Sequence, residues 1–341
     1  MDILLCALAL LSGVIGAGFA SGREIVRFFA CHGWASGLAV LGALAALAVL
    51  FLRLCSQMAR AGVSSLPALC RLRWGDRFSA LCVALFLLLC VLTGGAMLAA
   101  CAELFALTLP FQHAYVLGMA ATLILALILS ALEVRGLAFI GAALCALLPF
   151  LLLSLLHLPV GEACVEPVLP PESPLRALTD GVLYGALNAA MLAGGLPMLL
   201  TFSREKRRSS ILLFLLLFGV MLTLGVCVCR QHMQSIVLQP LPFVWLSRSL
   251  GAGGYRLVAL CLYAAALSTL CAMFCAVVRM LPAKVSRPAR LALACLASLL
   301  FALMGFGRIV QSAYPILGAV CAALLFLLCL PLRQKASISD R

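Results

Sequence analysis

The sequence predicts an all-α membrane protein with about ten transmembrane helices. Of its 341 residues, 65% are apolar and 10% are charged, whereas soluble domains contain roughly 45–50% apolar and about 25% charged residues. The mean hydropathy is +1.21. Apolar runs such as residues 81–92 and 211–226 are continuous. A transmembrane β-barrel would show short alternating segments instead, so the predicted spans are helical.

The same composition excludes several classes of protein. A soluble enzyme of this size cannot bury so much apolar surface, and disordered chains are poor in apolar residues. The net charge of +13 comes from 24 Lys and Arg distributed along a hydrophobic chain, which is typical of membrane topology. We therefore expect a lipid bilayer and a small-molecule substrate as partners, and no nucleic acid. The sequence does not predict an oligomeric state.

Most of the 17 cysteines lie inside apolar runs, where a thiol behaves as a small apolar residue. Their spacing matches no zinc site. A single disulfide between Cys31 and Cys164, the two cysteines expected to face outward, is the remaining alternative.

Hydropathy and helix-breaking residues divide the chain into ten predicted spans. They are residues 3–30, 36–58, 78–109, 114–132, 136–158, 177–202, 209–230, 252–281, 289–306 and 311–331. The third and eighth runs are long, which indicates tilted helices. If the N-terminus is cytoplasmic, 17 of the 24 Lys and Arg fall on the inner side and 7 on the outer side. Because inner loops are enriched in basic residues, both termini are predicted to be cytoplasmic.

Ten spans can form two halves of five. The predicted halves are residues 1–158 and 177–331, joined by an outer loop at 159–176 and followed by a cytoplasmic tail at 332–341. An odd number of spans in each half makes the second half insert upside down. That inverted repeat is typical of secondary transporters.

Spans one and six share an anomaly that favours this arrangement. Residues 12–22 of span one contain four glycines. Span six contains residues 184–188, Tyr-Gly-Ala-Leu-Asn, followed by Gly-Gly-Leu-Pro at 194–197. Glycine and proline disfavour the helix interior, and broken backbone at bilayer depth is tolerated where it lines a cavity. Paired breaks indicate a transporter binding site, although glycines also allow close helix packing.

Residues 16–25, Gly-Ala-Gly-Phe-Ala-Ser-Gly-Arg-Glu-Ile, followed by Phe28 and Phe29, resemble the YkvI-type family of bacterial membrane proteins. Tyr184, Asn188 and the ten-span layout support the resemblance. That family is related to the amino acid–polyamine–organocation superfamily, which has the LeuT-type fold, a 5+5 inverted repeat with broken helices one and six. The resemblance implies a cation-coupled carrier of amino acids or similar solutes in the bacterial cytoplasmic membrane.

A broken helix presents unpaired N–H groups and a partial positive charge to the gap, which suits a substrate carboxylate. By resemblance, the amides around Ala17 and Gly18 would hold that carboxylate. Tyr184 and Asn188 are candidates for specificity because they offer a hydroxyl and an amide. The full set of candidate substrate-binding residues is Gly16, Ala17, Gly18, Phe19, Ser21, Tyr184 and Asn188.

The resemblance also implies a sodium site between the first and eighth helices. Ala265, Ser268 and Thr269 match the family spacing of a carbonyl followed by two hydroxyls. The carbonyls of Ser12 and Ile15 would lie opposite. Oxygen ligands suit a hard cation. The alternative is that both hydroxyls bond a carbonyl one turn back. Span five contains no lysine to replace the ion, and no prosthetic group is expected.

Charged residues inside predicted spans are costly and indicate function. We expect an outer gate in which Arg23 or Arg27 pairs with Glu103 or Asp180, while the spacing of Glu24 and Arg27 also allows a pair along one helical face. The alternative is an interfacial charge cluster whose side chains extend to water.

The remaining polar side chains of the spans are predicted to have structural roles. The four histidines lie near span ends and are expected to be interfacial. Tyr263 and Tyr314 are predicted to be packing or interfacial residues.

A secondary transporter is the leading functional hypothesis, and an enzyme is not expected. No G-x-x-x-x-G-K-[ST] motif occurs, which argues against an ATP-driven pump. A ligand-sensing membrane subunit with a transporter-like fold but without turnover is the alternative.

Overall fold

The computed structural model describes residues 3–63, 65–132, 137–159, 173–193, 199–282 and 284–330, and residues 137–146 only in their backbone. Of the described residues, 88% are helical and none belongs to a β-strand. The all-α class predicted from the sequence is therefore confirmed.

Each predicted span coincides with one helix or with consecutive helical segments. In chain order these are α1 (Ile3–Val14), α2 (Ala17–Ala20), α3 (Arg23–Phe28), α4 (Ser36–Ala61), α5 (Leu66–Thr108), α6 (Ala114–Ala131), α7 (Leu137–Leu156), α8 (Pro174–Leu192), α9 (Arg204–Gln231), α10 (Met233–Ile236), α11 (Pro242–Ser247), α12 (Gly251–Met280), α13 (Arg287–Ala302), α14 (Phe306–Arg308) and α15 (Tyr314–Cys329). Span one comprises α1 to α3, and span ten ends with α15.

Serine caps begin several of these helices. Ser65, Ser173 and Ser203 each accept a hydrogen bond from the amide three residues later. Such a cap contributes about 1 kcal/mol by satisfying an unpaired N–H group of the first turn. Within α5, Gly75 has a φ of 79°, a left-handed value that glycine tolerates, and it separates a short leading helix from the long third span.

Span one is broken where the glycines predicted it. Gly16 is extended, with φ −90° and ψ −172°, and separates α1 from α2. Gly22, with a φ of 84°, turns the chain again before α3. Span one therefore contains a second interruption that the sequence analysis did not separate from the first. The predicted break at 194–197 in span six lies outside the described residues.

The helix contacts repeat with an offset of five spans. Helix α4 of span two packs along α8 of span six. In the corresponding contact of the other half, α9 of span seven packs on α1 of span one. Helix α7 packs on α1 as α15 packs on α8. Helices α5 and α12, which form spans three and eight, pack on each other. Each of them also contacts α6 of span four and α13 of span nine. This exchange of partners is what a 5+5 inverted repeat requires.

The outer surface of this bundle is apolar. By length and composition, six helical stretches among the described residues can cross a membrane, and the shorter helices Ile3–Val14 and Leu147–Leu156 are also apolar. Large apolar side chains that are more than half exposed are distributed around the bundle: Leu41, Val116, Ile124, Leu216, Leu260, Leu300, Ile316 and Phe326. A surface so extensively apolar indicates contact with lipid.

The close packing of α8 on α4 gives a testable prediction. A Cβ atom added at Gly181 would overlap the backbone carbonyl of Ala39, which cannot move without displacing α4. We expect Gly181→Ala to destabilise the protein by about 1–3 kcal/mol, as overpacking does. The measurement is the thermal unfolding midpoint in detergent. Gly37→Ala, on α4 with open space around the added atom, is the control and should not lower the midpoint. Equal midpoints for both variants would contradict this packing.

Candidate functional site

The break in span one redirects the backbone hydrogen bonds around Gly16. The amide of Gly16 donates to the carbonyl of Val14 at 2.9 Å instead of to Ser12, one helical turn back. The next amide, of Ala17, donates to Sδ of Met97 on α5 at 3.2 Å. A thioether is a weak acceptor, so the amide of Ala17 remains available to a stronger acceptor. The site expected around Ala17 is thus an interrupted helix with a weakly held N–H group.

Helix α12 lies directly against this break. A Cβ atom on Gly16 would be 3.5 Å from Oγ1 of Thr269. The hydroxyls of Thr269 and Ser268 donate to the carbonyl of Ala265 at 2.9 and 3.0 Å. These are the back-bonds considered as the alternative to a sodium site. Thr269 is buried and adjacent to the break, whereas Ser268 is half-buried.

The two predicted ligands on span one have different surroundings. The hydroxyl of Ser12 donates to the carbonyl of Ala9 at 3.0 Å. Ile15 lines a small apolar cavity between span one, α7, α11 and α12. The other lining residues are Ala20, Leu148, Leu151, Leu152, Leu155, Phe243, Val258, Cys261, Leu262 and Ala265.

Glu24 lies at the predicted substrate site rather than at a gate. Its side chain lies over Gly18, where an added Cβ atom would overlap the carboxylate. Its Oε2 accepts a hydrogen bond from the hydroxyl of Tyr184 on α8 at 3.0 Å, and both residues are buried. The predicted pairing of Glu24 with Arg27 along one helical face is wrong, because each side chain bonds to a different residue of α8. Only glycine at position 18 leaves room for this arrangement.

Aromatic packing holds Tyr184 in place. The rings of Phe28 and Phe29 lie 5.2 and 5.0 Å from the tyrosine ring, in tilted and edge-on geometries that aromatic pairs favour. Asn188 donates from Nδ2 to the carbonyl of Tyr184 at 2.9 Å, so its amide contributes to helix α8 itself. Phe19 is fully buried and packs against a ring of α9. The predicted residues of spans one and six are therefore brought together.

One of the predicted gate combinations is in contact. Arg27 lies 2.9 Å from Oδ2 of Asp180, and Nε2 of His32 lies 3.3 Å from the same oxygen. His32 is only 2% exposed and is buried beside Asp180. Glu103 is half-buried on α5 and forms no ion pair within the described part of the chain.

Arg23 also forms different contacts from those predicted. Its guanidinium donates to the carbonyls of Val237 and Gln239 at 2.8 and 3.0 Å. Nearby, the amide of Phe243 donates to the carbonyl of Ser21 at 2.8 Å, while the Ser21 hydroxyl donates to a carbonyl of α2. The segment that connects α9 and α12 is thus hydrogen-bonded to span one. Among the described contacts, Arg23 forms no gate pair with Glu103 or Asp180.

Only one of the two cysteines of the predicted disulfide lies in the described residues. Cys31 is free, and its thiol donates to the carbonyl of Arg27 at 3.1 Å. Cys164 lies outside the described residues. In the described segments, no group of three or more His, Cys, Asp and Glu residues is arranged to hold a metal ion.

The sequence did not predict roles for Met97 and Thr93, and Tyr314 was predicted to be a packing or interfacial residue. The hydroxyls of Thr93 and Tyr314 are both buried and lie close to each other. Tyr314 interacts electrostatically with Glu24 and follows the π-helical stretch Ile309–Ala313. Such stretches are frequent at functional sites but leave no signature in a single sequence. The sequence feature that could have indicated a role for Tyr314 is its position inside an apolar predicted span.

Comparison with known proteins identifies the fold. No family model and no curated protein matches the sequence. The structure is similar to Mhp1, a nucleobase-cation-symport-1 family transporter, in a closed conformation with bromovinylhydantoin bound, with a TM-score of 0.66, 13% identity and coverage of 96% of this chain and 77% of that chain. The inward-facing conformation of Mhp1 gives a TM-score of 0.65 at 14% identity, covering 96% and 75%. A mutant manganese transporter of Eremococcus coleocola gives 0.51 at 14% identity, covering 95% and 77%.

These transporters have the LeuT-type fold. Identities of 13–14% establish similarity of fold alone. The resemblance to the YkvI-type family stays a prediction. The chain itself is a multi-pass membrane protein with the LeuT-type fold.

Proposed function

We propose that this protein is a secondary active transporter that carries a small solute across a membrane by cation-coupled alternating access. One observation carries the proposal: the broken backbone at Gly16 faces Thr269 of α12, so that an interrupted helix of one half meets a polar turn of the other. Irregular backbone at membrane depth is stable where it lines a binding site. The similarity in fold to a cation symporter and a manganese transporter supports this proposal.

We propose an amino acid or a related carboxylate as the substrate. The amide of Ala17 donates to a thioether sulfur at 3.2 Å. A carboxylate is a much stronger acceptor than a thioether, so a substrate carboxylate would displace Met97 from this amide. The apolar cavity beside Ile15 would receive an apolar side chain.

Sodium is the proposed coupling ion at α12. The Thr269 hydroxyl retains acceptor lone pairs while it donates to Ala265, and the carbonyl of Ser12 is released from its usual helical bond with Gly16. Oxygen atoms of this kind bind hard cations. Ser268 and the carbonyl of Ile15 would complete the ligand set.

The contact of Arg27 with Asp180 would close one end of the site as the outer gate. This assignment rests on an orientation with both termini in the cytoplasm of a bacterium, which the distribution of Lys and Arg supports. The N-terminus of α1 and the Arg27 contact lie on opposite sides of the Gly16 break along span one.

The first test is the thermal stability of the detergent-purified protein with each of the twenty L-amino acids, in sodium or in choline. A ligand at about 100 times its Kd stabilises the folded state by about 2.7 kcal/mol. We expect one amino acid class to raise the unfolding midpoint, and to raise it more in sodium. Thr269→Ala should remove the sodium dependence.

Thr223→Ala is the matched control, because Thr223 makes the same back-bond to Gly219 at 2.8 Å but is exposed on α9. Loss of sodium dependence in both variants, or in neither, would contradict the assignment to α12. Binding without uptake into proteoliposomes would favour a ligand sensor instead of a transporter.

The proposed gate predicts coupling between Arg27 and Asp180. We expect Arg27→Gln and Asp180→Asn each to lower uptake, and a double-mutant cycle on unfolding free energy to give a coupling of about 1 kcal/mol. The control is the ion pair of Arg71 with Asp76, whose side chains are 72% and 75% exposed. Its coupling should be smaller, because water screens exposed charges, and its removal should leave uptake unchanged. Similar coupling and uptake for the two pairs would argue against a gate.

A further inference from the structure

Glu24 is a buried acid without a cationic partner. Its side chain is 7% exposed, and its one hydrogen bond comes from the hydroxyl of Tyr184 at 3.0 Å. Two arginines share its helix, but Arg23 bonds to backbone carbonyls and Arg27 to Asp180. Within the described part of the chain, no Lys, Arg or His forms an ion pair with Glu24.

The neighbouring helices supply hydroxyls to this acid and no positive charge. The titratable groups that face α3 from the elements packed against it are Tyr184 and Asp180 of α8, Tyr314 of α15, Cys229 of α9, and Cys31 and His32 of the stretch Ala30–Ala35. His32 lies on Asp180, Cys31 donates to the carbonyl of Arg27, and Cys229 is directed at the carbonyl of Gly22 at 4.0 Å. Among these described groups, only the two tyrosines interact with Glu24.

An ionised carboxylate in this position would be strongly unfavourable. Removing a charge from water is costly even after the protein relaxes, and this cost is normally offset by a counter-charge. One hydrogen bond from a neutral hydroxyl offsets only part of it. The acid is therefore neutralised by a positive species that the described part of the chain does not provide.

We propose that Glu24 is a proton-binding site coupled to transport, an inference that rests on the proposed transporter function and deepens it. In the closed arrangement the proton lies on the Glu24 carboxyl beside Gly18. It comes from water when one end of the site opens, and it returns to water when the other end opens. Tyr184 holds the acid against the break through both states.

The position of Glu24 links this proton to the substrate. Its carboxyl group lies over Gly18, one residue from the amide of Ala17 that we assign to the substrate carboxylate. Two carboxylates so close cannot both remain ionised, so one must hold a proton. A carboxylate substrate and a proton would bind together, which makes the carrier a proton symporter at this position.

Infrared pH-difference spectroscopy of the full-length protein in lipid tests the proton site without a substrate. We expect a protonated-carboxyl band near neutral pH that is lost in Glu24→Gln and kept in Glu103→Gln. Tyr184→Phe should shift the band, because it removes the hydrogen bond to Oε2. Glu24→Gln with an unchanged spectrum would overturn the proposal, as would a Glu24 that is ionised throughout the neutral range.

Proteoliposomes test the coupling, with an equimolar mixture of the twenty L-amino acids and quantification by mass spectrometry. A pH gradient of one unit allows about tenfold accumulation for one proton per substrate. We expect the ratio of gradient-driven uptake to exchange to fall about tenfold in Glu24→Gln. Glu205→Gln, which changes an exposed acid at the start of α9, should keep the wild-type ratio.

An unchanged ratio in Glu24→Gln would overturn the coupling. If the wild-type protein exchanges no amino acid while the infrared band depends on Glu24, the proton site stands and the amino-acid transport function fails. If exchange occurs and the band does not depend on Glu24, the transport function stands and the proton site fails.

Discussion

The extended backbone at Gly16 is the constraint on which the rest of the site depends. A helix broken inside an apolar bundle leaves N–H and C=O groups that have no water to bond. Here the released amide of Ala17 reaches Met97 of α5, and α12 brings Thr269 against the gap. Spans three and eight, which pack on each other, thus close around the interruption in span one. The polar groups at this site are thus arranged around the helix break that the glycines of span one produce.

The second interruption, at Gly22, determines where the charged residues point. Because α3 starts in a new direction after Gly22, Glu24 reaches back to Gly18, while Arg27 on the same short helix reaches Asp180. Two residues of one short helix therefore contact different parts of the protein: Glu24 contacts the broken backbone, and Arg27 contacts one end of the bundle.

The sequence predicted the architecture better than the side-chain partners. Spans, breaker glycines and the offset of five follow from local hydropathy and backbone preference, which a single chain displays. The partners do not, because they depend on how helices distant in sequence are rotated. Glu24 was predicted at a gate and lies at the break, and Tyr314, predicted as a packing residue, has a buried hydroxyl and interacts electrostatically with Glu24. The contact of Arg27 with Asp180 was one of several combinations that the spacing allowed.

Two groups of polar contacts in this structure differ in what they join. The contacts at Arg27 and Arg23 use charged groups and backbone carbonyls near the end of the bundle, whereas those at Gly16, Glu24 and Tyr184 lie at the break. Arg23, Glu24 and Asp180 are all buried, so breaking these contacts without water, a proton or a ligand to replace the partners would leave polar groups unsatisfied. A ligand that satisfies the break can bias the equilibrium by as much as its differential affinity for the two states, which is the condition for coupling binding to conformational change.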